Sequence, residues 1–243
     1  MQTPHWLSRT ALMLDDEQVN KLRTANVLVV GLGGVGGICA EMIARAGVGK
    51  MTIVDADVVE ASNRNRQIVA LSSTEGLYKA EILAQRIRDI NPTIELTVLN
   101  EYLRDARTVE VLQEGNFDYA VDCIDTLSPK VYFINECVKR NIPIVSSMGA
   151  GGKVNPSLVQ VLDISKTYNC NLARYVRKKL YRLGVRKGVQ VIFSPEKADQ
   201  SKIIETEKAY PKKSVIGTIS YMPNIFGCTC ASVVIRDLYL SHT

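Results

Sequence analysis

The chain has 243 residues, of which 46% are hydrophobic and 23% charged, and its formal net charge is +5. This length suits one large α/β domain with a sizeable core, and the composition is that of an ordinary globular protein. The first residues lack the apolar segment of a secretory signal, and no apolar run reaches the roughly 20 residues of a membrane helix. These features argue against a secreted or membrane-spanning protein, and we expect a cytoplasmic one.

The six cysteines do not form a recognisable metal motif. None of them belongs to a C-x-x-C pair, and Cys228 and Cys230 are separated by a single residue, which is the wrong spacing for a zinc knuckle. Several lie in apolar runs, where cysteine behaves as a small buried hydrophobe. We therefore expect structural thiols, with a nucleophilic Cys228 or Cys230 as the alternative.

The first 150 residues alternate apolar strands with amphipathic helices. Strands are predicted at 27–30, 51–54, 94–99, 119–122 and 143–147. Helices are predicted at 16–22, 34–46, 75–90 and 104–113, and one more runs to about residue 140 from an N-cap at Ser128, with Pro129 at its first position. This alternation indicates a parallel, doubly wound sheet.

The rest of the chain departs from that alternation. Strands are predicted at 158–163 and 189–193, helices at 171–183 and 223–240, and a polar, mobile connection at 194–213. We find no linker or repeat, so we predict one domain with an N-terminal arm and helix (1–24), a nucleotide-binding core (25–165) and a basic C-terminal elaboration (166–243). The predicted fold is α/β, a doubly wound, mostly parallel Rossmann-like sheet with a C-terminal α+β elaboration.

The first strand runs directly into a glycine-rich turn. Gly31, Gly33 and Gly36 fit the pattern G-x-G-x-x-G, and Gly34 adds a fourth glycine. Gly31 permits the tight turn, Gly33 and Gly34 let the backbone approach a ligand, and Gly36 lets the next helix pack on the strand. The free N–H groups at the helix start would face a phosphate. The pattern predicts a nucleotide site, with a dinucleotide as the default ligand.

Polar side chains follow the strands at the edge where ligands bind in such sheets. Asp55 ends the second strand and is placed to bind a ribose hydroxyl. A dehydrogenase would explain the glycines and Asp55, but it has no need of the further charges on this edge. Adenylyl transfer from ATP needs cations against the phosphates and a carboxylate for Mg²⁺. We predict that Arg66 and Lys79 clamp phosphates, Asn63 orients them and Asp125 binds Mg²⁺.

Each of these predictions has a structural alternative. Asp55 would then cap a turn, while Arg66 and Lys79 would be solvated surface charges. Of the two carboxylates after the fourth strand, we expect Asp122 to be structural and Asp125 to be the ligand. The sequence assigns no role to Asp57.

The order and spacing of the motifs resemble a known superfamily. Residues 29–36, 46–49, 53–57, 62–67, 79–81 and 122–125 resemble the ubiquitin-activating-like adenylyltransferases, which include the ThiF/MoeB enzymes. Residues 65–68, 88–92, 124–130, 149–152, 163–167 and 226–227 are similar to the tRNA threonylcarbamoyladenosine dehydratase branch of that superfamily. The resemblance extends over nearly the whole chain.

The resemblance implies a reaction on tRNA. ATP adenylates the threonyl carboxylate of the modified adenosine, and the carbamoyl nitrogen then closes a ring and releases AMP. It further implies Mg²⁺, a homodimer in which Arg9 reaches the partner's site, and catalysis by Arg66, Lys79 and Asp125. Gly149–152 is left with two alternatives, approach to substrate or binding of a monovalent cation. The implied nucleotide-binding residues are Gly31, Gly33, Gly34, Asp55, Asn63, Arg66, Lys79, Asp125 and Thr126.

Departures from the superfamily pattern leave two other functions open. Activators of ubiquitin-like or sulfur-carrier proteins carry a C-x-x-C zinc pair, which this chain lacks. A cysteine of some dehydratases aligns with Lys212, which weakens the case for a sulfur-transfer protein as a partner. The alternatives are adenylation of the C-terminus of a ubiquitin-like or sulfur-carrier protein, and a non-catalytic nucleotide-binding scaffold. A scaffold would have no need of the metal carboxylate.

Positive charge is concentrated in the C-terminal third, since residues 166–213 contain 13 Lys and Arg but only 4 Asp and Glu. Such a segment predicts an anionic partner, and the resemblance makes that partner tRNA. Contacts with its phosphates would be independent of sequence and sensitive to salt. A solvated helix face is the alternative. The predicted tRNA-binding residues are Arg174, Arg177, Lys178, Lys179, Arg182, Arg186 and Lys187.

Overall fold

The computed structural model describes residues 3–197, 203–205 and 214–241. Within these ranges a seven-stranded sheet has the order β3-β2-β1-β4-β5-β7-β6. All neighbouring strands are parallel except β6, which pairs antiparallel with β7. The strands are β1 (Asn26–Val30), β2 (Lys50–Val54), β3 (Glu95–Leu99), β4 (Tyr119–Asp122), β5 (Ile144–Ser147), β6 (Gln160–Asp163) and β7 (Gln190–Phe193).

Helices cover both faces of this sheet. The helices of the described ranges are α1 (Ser8–Ala11), α2 (Asp16–Thr24), α3 (Gly36–Arg45), α4 (Lys79–Ile90), α5 (Asp105–Glu114), α6 (Leu127–Lys139), α7 (Asn171–Arg182) and α8 (Tyr221–Leu240). One hydrophobic core lies beneath α2, α3, α4 and α8, and a second beneath α5, α6 and α7. Apart from α1, helices are therefore divided between the two faces, and the predicted doubly wound α/β fold is confirmed.

The alternation of side chains along β1 explains the two cores. Val27 and Val29 are buried in the first core, while Leu28 and Val30 are buried in the second. Successive side chains of a strand point to opposite faces, and a parallel strand covered on both faces is apolar at every position. This is why the strand appears in the sequence as a continuous apolar run.

Two predicted helix starts were wrong. The helix expected from residue 75 begins at Lys79, because Gly76 has a φ of +85° and the extended Tyr78 bridges to Val58. The helix expected from an N-cap at Ser128 begins at Leu127. Its N-cap is Thr126, so Pro129 is the third helical residue. Proline is tolerated there because the first-turn N–H groups have no partner within the helix.

The C-terminal third adds β6, β7 and a further hairpin. Strand β8 (Ile203–Glu205) pairs antiparallel with β9 (Ser214–Ile216). The prediction of a polar connection over 194–213 missed β8. Its remaining residues at 198–202 and 206–213 lie outside the described ranges.

Helix α8 closes the fold against the start of the chain. A Cβ atom on Gly227 would lie 2.3 Å from both the Val35 carbonyl oxygen and Ile38 Cγ2, so α8 and α3 are in close contact. At its N-terminal end, Pro223 lies against the glycine-rich turn at Gly34. Among the residues described, no helix is both long and apolar enough to cross a bilayer.

Candidate active site

The glycine turn between β1 and α3 leaves no room for side chains at two positions. Gly31 has a φ of +88°, and a Cβ atom there would lie 2.8 Å from the Cys123 carbonyl oxygen. A Cβ atom on Gly36 would lie 1.7 Å from the Gly31 carbonyl oxygen. The turn is therefore tight enough for α3 to begin directly above the end of β1.

The next two glycines have different surroundings. A Cβ atom on Gly34 would lie 2.9 Å from Pro223 Cβ, so packing against α8 alone accounts for that glycine. Among the described residues beyond its chain neighbours, a Cβ atom on Gly33 would have only Gln67 Nε2 within 4 Å, at 3.8 Å. The turn is thus open at Gly33, which is where a ligand can approach the backbone.

Asp55 links the end of β2 to the glycine turn. Its Oδ2 atom accepts the Leu32 N–H at 2.6 Å, and its Oδ1 atom accepts the Asp57 N–H at 2.8 Å. Burial raises the pKa of Asp55, and the charge of Lys79 limits the rise. The carboxylate therefore caps backbone groups as the structural alternative predicted, and it lies at the same edge as the glycine turn.

Lys79 is buried beside Asp55 and paired with Asp57. Only 5% of the residue is exposed, and its Nζ atom lies 2.9 Å from Asp57 Oδ2. The other Asp57 oxygen accepts the Tyr102 hydroxyl at 2.5 Å, and this hydrogen bond raises the pKa of Tyr102 to about 12. The alternative of a solvated lysine is therefore wrong, because the ammonium group is buried and is fixed by Asp57 at the edge of the sheet where the glycine turn lies.

The contributions of Asp57 and Tyr102 were not predicted from the sequence. Asp57 follows β2 by three residues, and Tyr102 follows β3 by three residues. A residue at the same position after each of two neighbouring parallel strands was a usable signal, provided that the strand order was known.

The polar loop after β2 holds Asn63 and Arg66. Asn63 is buried, and its Oδ1 atom accepts the Glu60 N–H at 3.2 Å, so its side chain stabilises the loop itself. Arg66 is half-buried, and its Nη1 atom donates to the Ser62 carbonyl oxygen at 3.0 Å and to Asn65 Oδ1 at 2.8 Å. Hydrogen bonds within the loop therefore hold the side chains of both Asn63 and Arg66.

Gln67 is a third residue whose contribution the sequence patterns did not predict. Only 7% of it is exposed, and its Oε1 atom is buried with no hydrogen-bond partner among the residues that the structure describes. A buried polar atom of this kind is rare and costs about 1–3 kcal/mol when left unpaired. Because the amide also lies beside Gly33, its free acceptor is available to a ligand donor at the open side of the turn.

The two carboxylates after β4 have different surroundings. Asp122 is fully buried, lies 2.7 Å from Lys130 Nζ and accepts the Ser146 hydroxyl at 2.6 Å. Burial raises the pKa of Asp122, and Lys130 opposes that rise. Asp125 is exposed in the loop before α6, where Thr126 is the N-cap. Asp122 is thus structural, and Asp125 is the carboxylate that a ligand can reach.

The thiols nearest the site are poor nucleophiles. Cys39, Cys123 and Cys230 form a hydrogen-bonded cluster beneath the glycine turn. Burial raises the pKa values of Cys39 and Cys230, and the contact with Cys230 raises that of Cys123. Cys228 is exposed at the surface, but partial burial of its thiol raises the pKa of this cysteine as well. Because thiolates are the reactive form, these shifts argue against nucleophilic cysteine. Nowhere in the described ranges do three or more His, Cys, Asp or Glu side chains form a metal-binding group.

Arg9 lies far from the glycine turn of its own chain. It is exposed on α1, and the preceding Leu7 packs against Gly47, just beyond the C-terminal end of α3. The glycine turn is at the opposite end of α3, which is about 15 Å long. The structure therefore does not bring Arg9 to the site within one chain.

The basic residues of α7 and the following turn separate into two groups. Arg177 donates to the Thr167 carbonyl oxygen at 2.7 Å, and Lys179 donates to Ser128 Oγ at 3.3 Å. These two residues are half-buried. The exposed members are Arg174, Lys178, Arg182, Arg186 and Lys187.

Comparison with known proteins gives consistent matches over most or nearly all of the chain. The model of the ThiF family matches residues 7–241. A tRNA threonylcarbamoyladenosine dehydratase of Bacillus subtilis is 39% identical over 241 residues, which cover 96% of this chain and 94% of the relative. An Escherichia coli enzyme of the same name is 39% identical over 194 residues, covering 77% of this chain and 72% of the relative.

A solved structure supports the same relationship. The structure of the E. coli tRNA N6-threonylcarbamoyladenosine dehydratase TcdA in complex with ATP is similar to this one with a TM-score of 0.86. The two chains are 33% identical, and the match covers 98% of this chain and 96% of that chain. The chain therefore belongs to the ThiF family and, within it, to the tRNA threonylcarbamoyladenosine dehydratases.

Proposed function

We propose that this protein uses ATP to dehydrate threonylcarbamoyladenosine in tRNA by way of an adenylated carboxylate. The observation that carries the proposal is the buried ammonium group of Lys79, which is fixed beside Asp55 at the edge where the glycine turn opens. A fixed cation beside free helix N–H groups is suited to a polyphosphate. Relatives with this activity match nearly the whole chain, and one of them was solved with ATP.

The residues at this edge fit ATP on grounds of their own chemistry. The open backbone at Gly33 admits a phosphate, and Lys79 and Arg66 supply positive charge nearby. The unpaired Gln67 Oε1 atom needs a donor, which a nucleotide offers through its hydroxyl and amino groups. Asp55 is the acceptor we assign to a ribose hydroxyl.

The residues then act on two successive steps. In the first, the threonyl carboxylate oxygen attacks the α-phosphorus and pyrophosphate leaves. Lys79 and Arg66 stabilise the negative charge that develops on the phosphate oxygens. Lys79 has three N–H donors, so it keeps Asp57 with one and offers others to the phosphates. In the second step the carbamoyl nitrogen attacks the activated carbonyl carbon, its proton is lost and AMP leaves.

We assign Mg²⁺ to Asp125. The ion is commonly held by one or two protein carboxylates together with substrate phosphates, so one exposed carboxylate on this edge is sufficient. When bound, the ion would offset phosphate charge, and Thr126, the N-cap of α6, is the residue after Asp125. Backbone carbonyls of residues 149–152, in the loop that follows β5, are our candidates for a monovalent cation.

We further propose a cytoplasmic homodimer in which Arg9 serves the partner's site. The remoteness of Arg9 from its own glycine turn supports this assignment. The N-terminal arm also exposes Trp6, Leu12 and Met13, the last two by more than four-fifths. Apolar side chains this exposed are suited to an interface. A sulfur-transfer protein is the lesser candidate partner, because the raised pKa values of the thiols near the site argue against a sulfur relay.

Release of AMP is the direct test. The protein is incubated with ATP, Mg²⁺ and one tRNA prepared either with or without the threonylcarbamoyl group. We expect AMP and a product lighter by one water molecule from the modified tRNA only. Equal AMP release from both tRNAs, with no change in nucleoside mass, would rule out the proposal.

A further inference from the structure

The exposed face of α7 combines basic and aromatic side chains in a regular arrangement. Arg174, Lys178 and Arg182 are spaced four residues apart, so they follow one another along one side of the helix. Tyr175 and Tyr181 lie three residues before and after Lys178, which places them about 60° to either side of it. All five are exposed, and we call them the α7 strip.

The two tyrosine rings are accessible and already stacked with arginine. Tyr175 is 48% exposed and Tyr181 is 58% exposed. The Arg174 guanidinium lies 4.9 Å from the Tyr175 ring centre, and that of Arg186 lies 5.1 Å from the Tyr181 ring centre. Aromatic rings and guanidinium planes are the groups on which proteins stack unpaired bases.

The opposite face and the ends of α7 hold the strip in place. Ala173, Val176 and Leu180 are buried in the second core. Beyond the helix, the Val185 N–H bonds to the Leu180 carbonyl oxygen, and the Gly188 N–H is accepted by Asp163 Oδ2 at 2.6 Å. The rings and charges are therefore presented by a rigid element, which lowers the entropy cost of binding.

The strip adjoins the candidate active site. Lys179, on the flank of α7, donates to Ser128, which is three residues after Asp125. A chain lying along α7 would therefore come close to the loop that carries the proposed metal ligand.

We propose that the α7 strip binds an unpaired segment of the tRNA substrate, with bases stacked on Tyr175 and Tyr181 and phosphates at Arg174, Lys178 and Arg182. This inference rests on the proposed function and specifies which part of the RNA is recognised. The two rings are about 9 Å apart along the helix axis. That exceeds the ~3.4 Å between stacked bases, so the bound bases must be splayed, as bases in single-stranded loops can be.

The test compares two RNAs across a series of salt concentrations. Fluorescence anisotropy measures binding to a hairpin with an unpaired loop and to a fully paired duplex of equal length. We expect Tyr175→Ala and Tyr181→Ala each to weaken hairpin binding about fivefold or more without changing its salt dependence. Lys178→Ala should reduce the slope of log affinity against log salt by about 0.7.

Matched variants separate stacking from other effects. Tyr175→Phe and Tyr181→Phe keep the rings and should bind the hairpin as the wild type does. Arg88→Ala removes an exposed charge from α4, on the other face of the sheet. It should leave the salt dependence of binding unchanged for both the hairpin and the duplex. The two tyrosine-to-alanine variants should bind the duplex as the wild type does.

Three results would overturn the inference. These are unchanged hairpin affinity in both tyrosine-to-alanine variants, equal loss for hairpin and duplex, or a reduced salt slope in those variants. AMP release by the wild type on modified tRNA is recorded in parallel. If AMP release is absent, the proposed function fails. If AMP is released but both tyrosine-to-alanine variants bind the hairpin normally, only the proposed role of the α7 strip is refuted.

Discussion

Two lysine–aspartate pairs lie near the carboxyl edge of the sheet, and they have the same chemistry but differ in burial. The Lys130–Asp122 pair has a separation of 2.7 Å, and both side chains are fully buried. The Lys79–Asp57 pair has a separation of 2.9 Å, but the aspartate side chain is 49% exposed. The first pair is enclosed between β4, β5 and α6, and the second lines the open rim.

The difference shows how burial separates structure from function in identical ion pairs. Asp122 also accepts the Ser146 hydroxyl and the Ile124 N–H, so three donors satisfy it, and its complete burial keeps a ligand away. A buried pair tolerates the loss of water only when its hydrogen bonds are satisfied in this way. Asp57 keeps one side in water, so Lys79 can share its donors with an incoming anion.

Breaking the buried pair should have the largest effect. Asp122→Ala leaves the Lys130 ammonium group buried without its charged partner, and we expect it to lower the free energy of unfolding by about 3–5 kcal/mol. Urea unfolding followed by circular dichroism measures this change.

A double variant tests the cause of that loss. Replacing both charges, as in Asp122→Leu with Lys130→Met, removes the unpaired ion and should recover most of the lost stability. A double variant as unstable as Asp122→Ala would show that the uncompensated charge is not responsible.

Breaking the rim pair should instead reduce activity. We expect Lys79→Ala to lower AMP formation on the order of 100-fold, because a fixed donor to the phosphates is removed. Its unfolding free energy should change by about 1 kcal/mol or less, since Asp57 is half-exposed and keeps Tyr102. Lys50→Ala breaks an exposed pair with Glu95 at the opposite edge and is the matched control, with AMP formation expected at the wild-type rate. Normal AMP formation by Lys79→Ala would remove the lysine from the mechanism.

The smallest expected effect is at Glu41, a carboxylate with two arginine partners. Its pKa is lowered, whereas that of Asp122 is raised. Burial raises the pKa of Glu41, but hydrogen bonds from Arg86 and Arg45 outweigh it, and the net shift is downward. Its contribution to stability is therefore complete above pH ~4.3, the value of an unfolded glutamate, and is lost as pH falls through the lower folded pKa. Glu41→Gln should unfold more easily than the wild type at pH 7 by about 1 kcal/mol, and the difference should shrink below pH ~4. A difference independent of pH would refute the assignment.

The sequence predicted most of the sheet and the edge at which the site lies. Apolar runs such as 27–30 can be recognised because strands covered on both faces are apolar throughout. The glycine turn, Asp55 and Asp125 could be placed from their positions after strands. These inferences needed only local patterns and the general rule for parallel sheets.

Contacts across strands could not be predicted in the same way. The Tyr102–Asp57–Lys79 arrangement joins the loops after β2 and β3 to the start of α4, so it depends on strand order and loop conformation. The burial of Lys79 follows from that arrangement, which is why the sequence left a solvated lysine open. The short strand β8 was missed because pairing with β9, rather than an apolar run, defines it.

The contact between α8 and the glycine turn has a consequence for how the site is made in the cell. Gly34, near the start of the chain, lies against Pro223, and Gly227 packs against Val35. The ribosome synthesises the glycine turn well before α8, the helix that packs against it. Until α8 has emerged and docked, the glycine turn lacks the packing of Pro223 and Gly227, so this edge of the fold is completed only when α8 is in place.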